Sequence, residues 1–292
     1  FRAVILIERK CPRRPVHHLY FVTDLNHRID PESLTTLPRA CGVYIFRGEG
    51  TLPLYVGKSV DIRSRVLSHL RAPDESRMVA QTRRVDCIET AGELGALLLE
   101  SRLIKQLSPL FNIRLRRTRG LCTLQLDATP GGLVPRVASG RSVQLGTQDG
   151  LYGLFASTHA AQTALRQLAD THRLCLVLLG LEKTSRRGCF GWQLKSCLGA
   201  CVGQEERAVH DARLRSALEG MQVHAWPHDG AIELTEERDG WRQKHRIWNW
   251  RHLGTWCSKT RQYTEWPAEH FDLDTYKILL RPVMQKLGSD PN

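Results

Sequence analysis

Apolar and polar positions between Pro38 and Asn112 first alternate and then switch to a helical period. Gly42-Val43-Tyr44-Ile45-Phe46 reads as a strand, Arg47 to Thr51 as a glycine-rich turn, and Leu54-Tyr55-Val56 as a second strand. Together they predict a hairpin. On this alternation Tyr44 points opposite to Val43 and Ile45, and Tyr55 opposite to Leu54 and Val56. Gly57 is expected to end the strand. Ser59 is placed to cap a helix in which Ile62, Val66 and Leu70 recur every fourth residue. Val85-Asp86-Cys87-Ile88 predicts a third strand. Thr90 and Glu93 fit a capping box that opens a long helix through Leu94, Leu97, Leu98, Leu103, Ile104 and Leu107, ended before Pro109.

The rest of the chain is less regular. The first thirty residues have no clear period and read as an arm. Thr129-Pro130-Gly131-Gly132 and Gly146 to Gly150 bracket a turn-rich connector. A second unit begins near Leu151, with a helix from about Thr158 to Thr171. Six of the seven tryptophans lie in the last seventy residues, where alternation such as Ile247-Trp248-Asn249-Trp250 suggests strands and a packing role for the indoles. The expected organisation is an α+β chain. It comprises an arm (1–30), a small mixed sheet flanked by helices (31–117), a connector (118–150), a helical cysteine-cluster region (151–206) and a small strand-rich C-terminal domain (207–292).

Composition narrows the classes. The chain has 292 residues, 41% of them hydrophobic and 25% charged, a globular mix long enough for two cores. No run of eighteen apolar residues exists to span a membrane, and the apolar stretch from Phe1 to Ile7 is too short for a secretory signal. The net charge of +12, from 42 Lys and Arg against 30 Asp and Glu, favours a polyanionic partner. Nine cysteines without a signal peptide suit a reducing cytoplasm. Cys11, Cys41, Cys87, Cys122 and Cys257 are scattered and read as small buried hydrophobes.

Two clusters carry candidate chemistry. Glu100 falls inside the apolar stripe of its helix, between Ile104 and Leu107, where a bare carboxylate is costly. It is either salt-bridged to an arginine or bound to a metal. Lys58 directly follows Tyr55-Val56-Gly57, and Arg65 and His69 lie four apart on one helix face. The second cluster, Cys175, Cys189, Cys197 and Cys201, has the form C-x13-C-x7-C-x3-C, and its last pair is expected to face one ion from a helix. Zinc, an iron–sulfur cluster and unrelated buried cysteines all remain open on spacing alone.

The ordered set Gly42, Tyr44, Tyr55, Gly57, Lys58, Arg65, Glu100 and Asn112 resembles the signature of the GIY-YIG nuclease family. Leu99 to Lys105 and Pro109 to Asn112 are similar to its UvrC- and Cho-type members. So are Tyr152-Gly153-Leu154-Phe155, Leu174-Cys175 and Cys197 to Cys201. His69 departs from the tyrosine that UvrC proteins carry there. The resemblance implies metal-assisted phosphodiester hydrolysis, with one Mg²⁺ or Mn²⁺ on Glu100, Tyr55 as preferred proton acceptor and Tyr44 positioning it. Lys58 would assist, Arg65 would neutralise the phosphate, and Asn112 would position. Gly57, Arg63, Arg114, Arg116 and Arg117 are expected along the DNA. Lys183, Arg186, Arg187 and Lys195 either extend that phosphate track or form a solvated basic face. The resemblance further implies a 4Fe-4S cluster on the four cysteines, with zinc as runner-up.

The expected activity is one incision, 3′ to a lesion in double-stranded DNA marked by UvrA and UvrB, by a cytoplasmic monomer that contacts UvrB. The residues after Cys201 lack the acidic set of a second, RNase H-like site. A restriction or homing enzyme of the same family and a non-catalytic damage-binding module are the other readings.

Overall fold

A computed structural model describes residues 28–113, 121–183, 187–267 and 270–287. Most of the expected arm lies outside the described residues, as do Arg114, Arg116, Arg117 and Arg186. The fold is α+β, with three antiparallel sheets and their helices among the described residues.

The first unit runs α1 (Pro31–Thr35), β1 (Gly42–Arg47), β2 (Pro53–Ser59), α2 (Ile62–Arg71), α3 (Ser76–Gln81), β3 (Arg84–Glu89) and α4 (Glu93–Leu107). Its sheet has the order β2-β1-β3, so β1 is central and buried on both faces. Tyr44 and Phe46 pack with Ile62, Val66 and Leu70 of α2 and Met78 of α3. Val43, Ile45 and Val56 pack with Ala96, Leu103 and Ile104 of α4. The alternation of β1 therefore holds. That of β2 does not, because Phe46 pairs with Tyr55 but Arg47 with Pro53. Leu54 is the extra residue of a bulge and joins the Tyr44 side of the sheet.

Two expected punctuation marks are corrected. β2 continues through Gly57 to Ser59, since Gly57 keeps its partner Tyr44 on β1. The α2 cap is Asp61, whose carboxylate accepts from the Ser64 amide at 2.9 Å, while the Ser59 hydroxyl accepts from the Asp61 amide. The capping box at α4 does not form either. The Thr90 hydroxyl donates to the Gly92 carbonyl at 2.8 Å, and the Glu93 carboxylate turns away to Lys58.

The middle unit contains β4 (Cys122–Thr129), β5 (Gly132–Ser139), β6 (Leu151–Phe155), α5 (Thr158–His172), α6 (Phe190–Gln193), α7 (Arg207–Glu219) and β7 (Gln222–Val223). The sheet order is β5-β4-β6-β7. The segment expected as a connector thus supplies two of its strands. The Pro130-Gly131 step is the tip of a hairpin in which Thr129 pairs with Gly132, whose φ of 102° suits glycine. Helix α5 lies where its periodicity predicts, capped by Ser157.

The C-terminal unit is a four-stranded meander, β8 (Ile232–Arg238), β9 (Trp241–Trp248), β10 (Arg251–Cys257) and β11 (Gln262–Glu265), followed by α8 (Leu273–Leu287). Its core joins Leu234, Ile247, Trp250, Leu279 and Val283 to Leu98 of α4 and Leu151 of β6. Trp250 fulfils the packing role expected of the indoles, whereas Trp248 stands exposed. No helix among the described residues is long and apolar enough to cross a membrane.

Candidate active site and cysteine cluster

The hairpin puts two phenols side by side. Tyr44 lies directly across from Gly57, and the rings of Tyr44 and Tyr55 have centroids 6.3 Å apart. A Cβ at position 57 would lie 2.4 Å from the Tyr44 hydroxyl and 2.8 Å from the Tyr55 ring. Glycine is needed there because the phenols occupy the space, rather than because the chain turns.

Helix α2 covers the pair from one side. His69, 2% exposed, has its ring centroid 5.4 Å from both tyrosine rings. Its Nε2 is 2.7 Å from the Tyr44 hydroxyl, and its Nδ1 meets the Glu75 carboxylate. One turn earlier on the same face, the exposed Arg65 reaches back to hydrogen-bond the Tyr44 hydroxyl. With Nδ1–H donated to Glu75, neutral His69 accepts at Nε2 and Tyr44 donates its hydroxyl proton there.

Helix α4 supplies Glu100 from the other side. Its Oε1 accepts from the Lys58 amide at 3.1 Å, and its second oxygen accepts from no described residue. The arginine salt bridge considered from sequence is therefore absent among the described residues: Arg65 serves Tyr44 instead. Glu93, two turns before Glu100 and so on the same face, pairs with the Lys58 ammonium. Lys58 is thus held twice by one helix. Asn112 acts as a strand extension: its side-chain amide accepts from Val56 N and donates to Val56 O, both at 2.8 Å. That pair holds β2, and with it Tyr55, Gly57 and Lys58, in register.

Burial dominates the electrostatics. It raises the Tyr44 phenol well above its ordinary value, helped by Tyr55 and opposed by Arg65. It raises Tyr55 too, with Glu100 the next influence. Burial lowers His69 despite Glu75, and raises Glu100 despite the Lys58 amide and ammonium. At neutral pH both phenols are protonated and the imidazole is neutral. A half-buried carboxylate with an uncommitted oxygen, next to phenols, fits a hard divalent cation that keeps water among its ligands.

Among the residues expected along the DNA, Arg63 is half-buried and donates to the Thr35 carbonyl at 3.3 Å, and Gly57 lies buried beneath the phenols. Lys183, Arg187 and Lys195 are exposed. Glu75 escaped the sequence reading because it follows the helix in a Pro-Asp-Glu turn, with nothing local to pair it with His69.

The four cysteines meet in one buried cluster of the middle unit. The sulfurs of Cys175, Cys189 and Cys201 lie within 4.8 Å of one another, and the Cys197 sulfur bonds toward Cys175 and Cys189. Cys197 and Cys201 do not share a helix, as their spacing suggested. Gly199, at φ 81°, breaks the chain between them, and Cys201 sits in a single 3-10 turn. Backbone N–H groups point at the sulfurs: Trp192 to Cys189 at 3.2 Å, Gly199 to Cys197 at 3.3 Å and Cys189 to Cys201 at 3.4 Å. Such donors stabilise thiolates, so the set fits a thiophilic metal group.

Comparison with known proteins agrees along the chain. Residues 40–113 match the family profile of the UvrC-like GIY-YIG domain. Residues 112–220 match that of the UvrC/Cho excinuclease middle domain, and 231–290 that of the excinuclease Cho C-terminal domain. The chain is similar to excinuclease Cho of Salmonella typhi, 52% identical over 255 residues covering 86% of this chain and 85% of that protein. Identity to excinuclease Cho of Escherichia coli strain K12 is 50% over the same coverage. UvrABC system protein C of Geobacter metallireducens is 36% identical over 60% of this chain and 29% of that protein. Among solved structures, the magnesium-bound GIY-YIG N-terminal endonuclease domain of UvrC from Thermotoga maritima matches at 30% identity. That match covers 28% of this chain and 92% of the domain, with a TM-score of 0.26.

Proposed function

The chain belongs to the UvrC/Cho excinuclease family, with a GIY-YIG endonuclease domain, and on that premise we propose that it makes one incision in damaged double-stranded DNA. The cut falls 3′ to the lesion, after UvrA and UvrB have marked the site. The observation that carries this reading is the convergence of Glu100, Tyr44, Tyr55, Lys58, Arg65 and His69 on one centre. Beyond it, the one set of three or more His, Cys, Asp or Glu side chains able to share a metal among the described residues is the cysteine cluster. One hydrolytic centre makes one cut.

A Mg²⁺ or Mn²⁺ ion held by Glu100 would stabilise the charge developing on the phosphate and acidify the attacking water. The protein's own residues then move the proton. After burial, Glu100 is the largest influence on the Tyr55 phenol, whereas on Tyr44 it ranks below Tyr55 and Arg65, which supports Tyr55 as the phenol nearer the cation. Tyr55 accepts the water's proton as its own passes to Tyr44, and the Tyr44 proton passes to His69 Nε2 over 2.7 Å. Glu75 holds the resulting imidazolium. This relay explains how phenols raised by burial can serve as bases at neutral pH: neither need exist as a free phenolate. Arg65 neutralises the scissile phosphate, and Asn112 keeps β2 in place.

The four cysteines hold a 4Fe-4S cluster in this proposal, as the likeness to UvrC-type proteins implies. Zinc is the second reading, favoured by the separations within 4.8 Å among the sulfurs of Cys175, Cys189 and Cys201, which suit a single ion bonded at about 2.3 Å. The visible absorption of purified protein, with its iron and zinc contents, separates the two. The protein works in the cytoplasm as a monomer recruited by UvrB.

The test is an incision assay on a duplex with one defined adduct, each strand labelled separately, with and without UvrA and UvrB. A single UvrB-dependent nick on the 3′ side is expected. Cutting on both sides, or fixed-site cutting of lesion-free DNA, overturns the proposal.

A further inference from the structure

Helix α4 carries Glu100 but provides no cap of its own. Its N-cap is Gly92, without a side chain, and Thr90 and Glu93 are engaged elsewhere. Two amides of the first turn would be left without acceptors. They are met from β8 of the C-terminal unit, more than 140 residues away: Glu236 Oε1 accepts from Leu94 N and Oε2 from Gly95 N, each at 2.7 Å.

The seat for that carboxylate is built from both sides. A Cβ at Gly92 would lie 2.3 Å from Glu236 Oε1, and one at Gly95 would lie 3.2 Å from Oε2 and 3.1 Å from the His245 ring. Behind the carboxylate, His245 Nε2 stands 3.3 Å from Oε2. Its Nδ1 is 3.0 Å from the Thr255 hydroxyl, which His252 also contacts at 2.9 Å. His245 is 1% exposed. Neighbouring contacts bring the same two bodies together, with Gln243 accepting from Ala91 N at 2.8 Å and Arg238 pairing with Glu89 at 2.9 Å.

We propose that Glu236, oriented by His245, is a positioning residue of the nuclease: it caps the Glu100 helix from another domain. The logic lies in what the external cap releases. A helix that caps itself through a capping box spends its N3 glutamate on its own N-terminus. Here Glu93 is free to hold the Lys58 ammonium while Glu100, seven residues on, holds the Lys58 amide. The C-terminal domain therefore sets the axial position of both carboxylates, and its docking is a condition for a well-formed metal site. The inference rests on the reading of Glu100 as metal ligand.

The experiment compares the full-length protein with Glu236→Gly, Glu236→Gln, the double variant Glu236→Gly/Gly92→Asp, and Glu100→Gln. Nicking of the adduct duplex is followed against Mg²⁺ concentration, with circular dichroism and melting recorded for each. Glu236→Gly is expected to raise the half-saturating Mg²⁺ or lower kcat by about 10- to 100-fold, with KM for DNA unchanged. Glu236→Gln, with one acceptor for two amides, should fall between. In the double variant a local carboxylate at the N-cap takes over from the distant one. Gly92 has φ −161°, which any residue adopts, and removing the Glu236 side chain vacates the space. The double variant should regain most of the loss. Wild-type metal dependence in Glu236→Gly, or a folded double variant that regains nothing, overturns the inference. If Glu100→Gln turns over normally, the reading of Glu100 itself fails. If it is inactive while Glu236→Gly is unaffected, only the positioning role falls.

Discussion

At the scale of single residues, the site is a matter of which atoms have room and which protons have a destination. Gly57→Ala would drive a methyl group into both phenols. Relief requires the rings or β2 to shift, costing about 1–3 kcal/mol of stability. Misplacing the rings by about 1 Å should cut the nicking rate roughly 100-fold, more than the stability loss explains. Kinetics and urea unfolding of the same variant check both numbers. His69 gives a second expectation. Burial holds its imidazole below the ordinary histidine value despite Glu75, so it stays neutral at pH 7 and protonates only under more acidic conditions. At saturating metal the acid limb of the rate profile should fall below the ordinary histidine pKa of about 6.5. His69→Gln, which cannot take the proton, should lower the rate about 100-fold or more and abolish that limb. A limb that stays unchanged in the variant argues against the relay. The core of this site was legible in the sequence because its markers are local: a tyrosine on each hairpin strand, the lysine after Gly57, and an acid inside an apolar helix stripe. Glu75 was not legible, since its partner is defined only once α2 folds over the hairpin.

At the scale of elements, the three helices expected from periodicity, α2, α4 and α5, are present, whereas α7, α8 and the strands of the expected connector were not foreseen, and the other errors concern ends and breaks. Gly57 and Pro130-Gly131-Gly132 read as punctuation, yet the first lies within a strand and the second forms a hairpin inside a sheet. Glycine signals either a turn or a close approach, and sequence alone does not separate them. The α4 cap was misassigned for a physical reason: Thr90 and Glu93 have the right spacing, but the helix starts after Gly92, the Thr90 amide donates to the Cys41 carbonyl and Glu93 pairs with Lys58. The cap has a consequence for acid stability. Burial pushes the Glu236 carboxyl up, but His245 and the amides of Gly95 and Leu94 together hold it below its ordinary value. Asp272, bonded to Lys105 and Thr275 against its burial, is likewise lowered. Groups with depressed folded values stabilise the folded state above their unfolded pKa values, near 4, and lose that contribution as pH falls further. Protection of the Leu94 and Gly95 amides against hydrogen exchange, corrected for intrinsic rates, should collapse below about pH 4. Protection that persists there would show that the carboxylate is not what holds the helix start.

At the scale of the molecule, helix α4 of the first unit shares one core with the middle and C-terminal sheets around Leu98, Leu151 and Ile247, so the domains are braced rather than strung on linkers. The sequence reading divided the chain into five successive regions but did not show this brace, because contacts separated by a hundred residues leave no periodic trace. The cysteines and the residues of the hydrolytic centre belong to different side-chain clusters. Among the described residues, the segment from Cys189 to Cys201 carries only the short α6 and a 3-10 turn, so the sulfurs supply much of its order. Cys175→Ala should therefore release the bound metal and lower the melting temperature, as read by metal analysis and calorimetry. The half-saturating Mg²⁺ for residual nicking should stay at the wild-type value. A shifted Mg²⁺ requirement would mean that the cluster contributes to the catalytic centre.

The central claim is that Glu100 binds the cation that makes this fold a nuclease. Glu100→Gln keeps the size and the hydrogen bond to Lys58 but removes the charge. Measured on the adduct duplex with UvrA and UvrB, the variant should bind DNA as tightly as wild type and produce no nick at any Mg²⁺ concentration. Wild-type turnover by that variant would contradict the account.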